Sequence, residues 1–306
     1  MAQHWTASDI PDLDGRTFVV TGANSGLGFV TACQLAAHGA RVIMTARDRA
    51  KGEAACAEIA AAKPEIAPEL RLLDLADLDS VRAFAAGLHD AEVPVDVLVN
   101  NAGVMMTPKR IPSKQGHELQ FATNHLGHFA LTGLLLDLIR NGRDPRVVTV
   151  SSTMHKAGTP ELAQFTAPKQ YSPSGAYSQS KLANAYFGLE LQRRLAAAGS
   201  PVRSLLAHPG YAATNLQVSG PAGLMKFGMK IGNVLLAQSA DQGALPQLYA
   251  ATDPNVVGGE FFGPDGWMEN RGYPKIVHPS PKAQNPELAA QLWTASEELT
   301  GVTFSF

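Results

Sequence analysis

The sequence predicts an α/β fold: a doubly wound, mostly parallel seven-stranded sheet with helices on both faces. Three observations carry this. Short runs rich in Val, Ile and Leu recur along the 306 residues. They are almost continuously apolar, as strands buried on both faces are. Alanine-rich helical stretches separate them, the pattern of parallel strands joined by right-handed crossovers.

The elements follow in order. The first strand is read at Thr17–Thr21 and the helix after it at Leu27–Ala37. Strand Arg41–Thr45 leads to helix Arg49–Ala62, and strand Glu69–Leu73 to helix Ser80–Leu88. Strands Val95–Val99, Arg146–Ser151 and Val202–Ala207 follow, with a long helix at Tyr177–Ala198, and a short seventh strand falls at Glu260–Gly263. This is a Rossmann-type layout, in which ligands sit beyond the carboxyl ends of the strands. No Gly-, Ser- or Pro-rich linker divides the chain. Residues 1–306 are therefore read as a single domain, with a lid-like insertion at about 211–238 and a C-terminal extension at about 267–306. The insertion carries Leu224, Met225, Phe227, Met229 and Ile231. It reads equally as a flexible apolar lid or as an ordinary amphipathic helix on the core.

Composition excludes several classes. With 45% apolar and 17% charged residues and a net charge of -2, no basic footprint for nucleic acid exists. Cys33 and Cys56 have no metal-ligand spacing and suit a reducing compartment. No apolar run reaches the roughly 18 residues that span a bilayer. The polar first residues do not read as a signal peptide. The expectation is a cytoplasmic protein without a stable membrane span. The nine histidines form no metal motif, and no G-x-S-x-G elbow marks a hydrolase.

The chemistry is concentrated at strand ends. Thr21-Gly22-Ala23-Asn24-Ser25-Gly26-Leu27-Gly28 follows the first strand and opens a helix. Glycines there let a backbone approach a pyrophosphate, and the helix start offers free N–H groups. The second strand ends Ala46-Arg47-Asp48. An acidic residue in place of Ala46 would read the ribose hydroxyls of NAD, whereas the Arg47 guanidinium suits a 2′-phosphate. Asp48 reads as a helix N-cap, with a ribose contact as the competing role. Tyr177-Ser178-Gln179-Ser180-Lys181 places a phenol and an ammonium on one helix face. A nearby cation is expected to lower the phenol's pKa and ready it for proton exchange. His155 and His208 are read as satisfied loop histidines.

Together these motifs resemble the short-chain dehydrogenase/reductase family, over about Gly15 to Phe262. The glycine spacing, Asp74-Leu75, Asn100-Asn101-Ala102-Gly103, Pro209-Gly210 with Thr214, and Tyr177…Lys181 occur in that family's order. The resemblance implies cofactor contacts from Gly22, Asn24, Ser25, Gly26, Leu27, Gly28, Arg47, Asp74, Leu75, Asn101, Ala102, Gly103, Tyr177, Lys181, Pro209, Gly210 and Thr214. It implies a catalytic set of Asn124, Ser152, Tyr177 and Lys181, with Ser152 rather than Ser151 holding the substrate oxygen and Asn124 supporting a water relay to the lysine. No metal is implied. The details are most similar to the retinol dehydrogenase-like branch. That implies an NADP(H)-preferring oxidoreductase that interconverts apolar aldehydes or ketones with alcohols. Alternatives are a non-catalytic NADPH sensor and a C=C reductase resembling protochlorophyllide reductase. Oligomeric state stays open, and a homo-oligomer is compatible with the family.

Overall fold

The computed structural model describes residues 4–166, 170–211 and 238–306. Thr214 and nearly all of the 211–238 insertion lie outside them.

Eight strands form one sheet in the order β3-β2-β1-β4-β5-β6-β7-β8. They are β1 Thr17–Val20, β2 Arg41–Ala46, β3 Glu69–Leu72, β4 Val97–Asn100, β5 Arg146–Val150, β6 Arg203–Ala207, β7 Phe261–Pro264 and β8 Pro274–Val277. The first seven run parallel, with Val19 of β1 beside Ile43 of β2 and Leu98 of β4. The expected count of seven is corrected to eight: β8 pairs antiparallel with β7, Gly263 beside Lys275. It escapes a sequence reading because it begins at a proline and leaves Lys275 and Ile276 exposed. Proline is tolerated at the first position of an edge strand, where its missing N–H costs nothing.

Alternate residues of each strand enter opposite layers. Phe18, Val20, Val42 and Met44 pack with helix α1 (Gly26–Ala37), α2 (Arg49–Ala61) and a later helix, Ala240–Thr252. Val19, Ile43 and Leu98 face α3 (Leu78–Asp90), α4 (Gly127–Arg140) and α5 (Pro173–Ala197). With Ala240–Thr252 taken as α6, the C-terminal helix Pro286–Thr300 is α7. Its Trp293 joins Phe129 and Phe187 in an aromatic cluster that Phe304 closes. No helix among the described residues is long and apolar enough to cross a membrane.

Two local features place the site. Helix α5 begins four residues before Tyr177, with Pro173 at its first position and Ser172 accepting from the Gly175 N–H. Proline suits that position because its missing donor would have no intrahelical partner. Tyr177 is thus one turn inside the helix, in a fixed backbone. Ahead of α4, residues Ala122–Leu126 form a π turn. Such turns break the regular ladder and often occur at functional sites.

Candidate active site

The carboxyl ends of the parallel strands open into a cleft of about 440 Å³. At one end lies the turn between β1 and α1. Gly22 has φ +65 and its α-carbon faces Ala102. A β-carbon on Gly28 would collide with the Asn101 side chain and stand 2.5 Å from the Gly22 carbonyl. Only glycine fits either place, and the backbone is left bare to the cleft. Thr21 fixes the neighbouring loop: its hydroxyl accepts from the N–H groups of Asn101 and Ala102, both at 2.9 Å. Asn101 in turn donates to the Thr21 carbonyl at 2.8 Å.

Gly22, Asn24, Ser25, Gly26, Leu27, Gly28, Arg47, Asp74, Leu75, Asn101, Ala102, Gly103, Ser152, Tyr177, Lys181, Pro209 and Gly210 all line this cleft. Asp48 caps α2, accepting from the Lys51 N–H at 3.1 Å, as the N-cap reading expects. Lys51, which the motifs did not single out, also lines the cleft beside Arg47. The signal was its spacing, four residues past Arg47. Arg49 nearby pairs with Glu53, but neither Arg47 nor Lys51 pairs with a carboxylate among the described residues. That end therefore presents a guanidinium and an ammonium, groups that a phosphate can bond, with Asp48 and Asp74 on the same wall.

The other end is chemical. Lys181 is almost fully buried and donates to the Val150 carbonyl at 2.9 Å. Its ammonium lies 5.8 Å from the centre of the Tyr177 ring. Burial pulls the Lys181 amine down to about 8 and pushes the Tyr177 phenol up to about 12. The expected lowering of the phenol's pKa is thus reversed. Desolvation of the phenolate raises it, and the Ser152 hydroxyl opposes this only in part. Ser152 caps the short turn Thr153–Ala157, its oxygen accepting from the Met154 N–H. Ser151 turns away and donates to the Lys181 carbonyl at 2.8 Å, bracing α5 against β5.

Asn124 stands behind the cleft, in the π turn. Its side chain accepts from the Val104 N–H at 2.8 Å and donates to the Val104 carbonyl and the Ser180 hydroxyl, both at 2.9 Å. It therefore braces the loop that carries Gly103 against the helix of Tyr177. His155 and His208 are buried and neither lines the cleft; His155 is hydrogen-bonded through both ring nitrogens, whereas His208 accepts from the Gly210 N–H at Nδ1 and has no hydrogen bond at Nε2. Between the two ends, Met105, Met106, Met154, Val150 and Tyr211 give the cleft apolar walls that the motifs did not reveal. No cluster of metal-ligating side chains occurs among the described residues.

Residues 16–222 match the short chain dehydrogenase family. The chain belongs to that family. It is 38% identical over 296 residues to human retinol dehydrogenase 13, covering 95% of this chain and 86% of that protein. Mouse polyprenol dehydrogenase is also 38% identical, over 298 residues, covering 95% of this chain and 86% of that one. Among solved structures, an uncharacterised protein from Mycobacterium Paratuberculosis is 45% identical with a TM-score of 0.81, covering 99% of this chain and all of that one. This short-chain dehydrogenase is retinol dehydrogenase-like, an oxidoreductase acting on CH–OH donors. Members of the family bind NAD(P).

Proposed function

We propose that this short-chain dehydrogenase reduces apolar aldehydes or ketones to alcohols, and runs the reverse, with NADP(H) preferred over NAD(H). The observation that carries this is the pairing of two ends of one cleft. Arg47 and Lys51 stand unpaired at one, and Tyr177, Ser152 and Lys181 meet at the other. The bare Gly22 and Gly28 backbone fits a pyrophosphate between them. A bound nicotinamide supplies or accepts the hydride.

The chain's own residues do the rest. Arg47 and Lys51 hold a 2′-phosphate. The Ser152 hydroxyl donates to the substrate oxygen and orients it. Tyr177, kept protonated by burial, gives its proton to that oxygen as charge develops there. Lys181 holds the ribose and supports the phenol's charge once the proton has left. Asn124 keeps the Gly103 loop and α5 in register and supports a water relay by which a solvent proton passes by way of Lys181 to restore the Tyr177 hydroxyl. The methionine walls suit long, flexible apolar substrates, because thioether side chains repack easily. Isoprenoid aldehydes of the kind that the names of the two dehydrogenase relatives suggest are the first class to try.

The test is a fluorescence titration of NADPH and NADH on wild type and Arg47→Ala, followed by retinal reduction with product analysis. Tighter NADPH binding that the substitution erases, with an alcohol as product, supports the reading. Equal or tighter NADH binding overturns the cofactor preference. A saturated C=C bond or no turnover overturns the reaction.

A further inference from the structure

Residues between β7 and β8 contribute nothing to the walls of the cleft. Yet this turn holds two consecutive non-glycine residues in left-handed backbone, Met268 at φ 52 and Glu269 at φ 58. It also leaves Trp267 80% and Met268 66% exposed. Neither burial nor backbone preference accounts for such a turn. Persistent strain of this kind calls for a compensating contact.

That contact is made by Glu269, whose side chain points inward. One carboxylate oxygen lies 3.1 Å from the Lys156 ammonium and 3.1 Å from His208 Nε2, and the other lies 3.2 Å from Lys156. Lys156 sits in the short turn that Ser152 caps. His208 follows β6 and immediately precedes Pro209-Gly210, and its Nδ1 accepts from the Gly210 N–H at 3.2 Å. That bond puts the imidazole proton on Nε2, which lies within ion-pair distance of Glu269 without hydrogen-bond geometry. The same turn touches the Pro-Gly loop through its backbone. The Asn270 carbonyl accepts from the Tyr211 N–H at 2.8 Å, and it closes off the space a β-carbon on Gly210 would need.

We propose that Glu269 is a positioning residue: through Lys156 and His208 it locks the loop of Ser152 to the loop of Gly210, and so sets the substrate side of the cleft against the cofactor side. The proposal rests on the functional reading above. Glu269 touches neither reactant, so its effect must pass through the two loops. Lys156 transmits it to Ser152, and His208 transmits it to Gly210.

The experiment compares Glu269→Ala, Lys156→Met and the double variant by NADPH fluorescence titration and by retinal reduction. Glu269→Ala is expected to weaken NADPH binding several-fold and to lower kcat/KM for retinal by about tenfold, with the melting temperature nearly unchanged. Lys156→Met, an exposed change that leaves folding intact, is expected to lower kcat/KM for retinal while NADPH binding stays within about twofold. In the double variant the Lys156 change adds nothing, because the two act as one unit. Glu269→Ala with wild-type kcat, KM and NADPH affinity overturns the proposal, as does full additivity with Lys156→Met. A loss of melting temperature with unaltered kinetics makes the residue merely structural and overturns it too. Wild-type protein that binds no nicotinamide dinucleotide overturns the functional reading and this inference together; wild type that binds and turns over while Glu269→Ala matches it overturns this inference alone.

Discussion

The Lys181 ammonium stands 5.8 Å from the centre of the Tyr177 ring while donating to the Val150 carbonyl at 2.9 Å. The strand carbonyl therefore fixes the lysine beside the Tyr177 ring. In the proposed reaction the Tyr177 hydroxyl is the proton donor. Tyr177→Phe is expected to lower retinal reduction by about 10³-fold. NADPH affinity should stay within about twofold, since the ring and Lys181 remain. Retained turnover in Tyr177→Phe would assign the proton to another group.

Lys181 also sets a pH limit. Burial brings its amine down to about 8, so it loses its charge as pH rises through that value. Its proposed hold on the ribose and on an ionised phenol weakens with it. NADPH affinity and kcat/KM for reduction are expected to be level at pH 6.5 and to fall as pH passes about 8. The profile of kcat/KM reports the free enzyme, so this is the parameter to follow. Lys181→Met should be weak at every pH and lack the alkaline limb. A wild-type profile level to pH 10 would contradict the assignment.

The glycine turn makes a steric prediction. A β-carbon at position 28 meets the Asn101 side chain and the Gly22 carbonyl at once. Neither can yield easily, because Asn101 is bound to the Thr21 carbonyl and to Gln247. Gly28→Ala is expected to weaken NADPH binding by at least about 100-fold, by pushing apart the two loops that face the pyrophosphate. Isothermal titration measures it. Wild-type affinity in this variant would show that the dinucleotide does not lie along the turn.

What the sequence discloses follows how local each feature is. Tyr177 and Lys181 are legible because helix periodicity alone puts positions four apart on one face. Gly22 and Gly28 are legible because strand, turn and helix adjoin in the chain. The walls are not. Met106 reaches the cleft from a left-handed backbone at φ 52, its N–H held by Gln120 Oε1 at 2.7 Å. Gln120 is in turn bound to Tyr171 and Pro173, over fifty residues on. No periodicity encodes such a chain of contacts. Burial is equally hidden. The spacing of Tyr177 and Lys181 suggests a lowered phenol pKa, and the desolvation that raises it instead depends on the assembled strands and helices.

Two histidines, His125 within the π turn and His128 just after it, make the fold sensitive to acid. His125 and His128 are fully enclosed, and burial holds them at about 3 and about 4. His125 lies against Phe121, Phe129 and Phe187 and meets the Ser296 hydroxyl of α7 at 2.9 Å. In the unfolded chain both titrate near 6.5. Between that value and their folded values the unfolded state binds more protons, so stability falls as pH falls. Each unit costs about 1.4 kcal/mol per histidine, so the pair alone removes about 5 kcal/mol by pH 4.5. That is comparable with the whole stability of many domains. Burial lowers His155 and His208 in the same direction and adds to the slope. Urea midpoints measured from pH 7.5 to 4.5 should decline steadily below pH 6.5. His125→Phe keeps an aromatic ring among aromatic neighbours, and Ser296 keeps its bond to the Leu292 carbonyl. That variant should show a shallower decline and a higher midpoint at pH 4.5. An unchanged acid limb would mean that His125 takes up its proton in the folded state, against the burial argument.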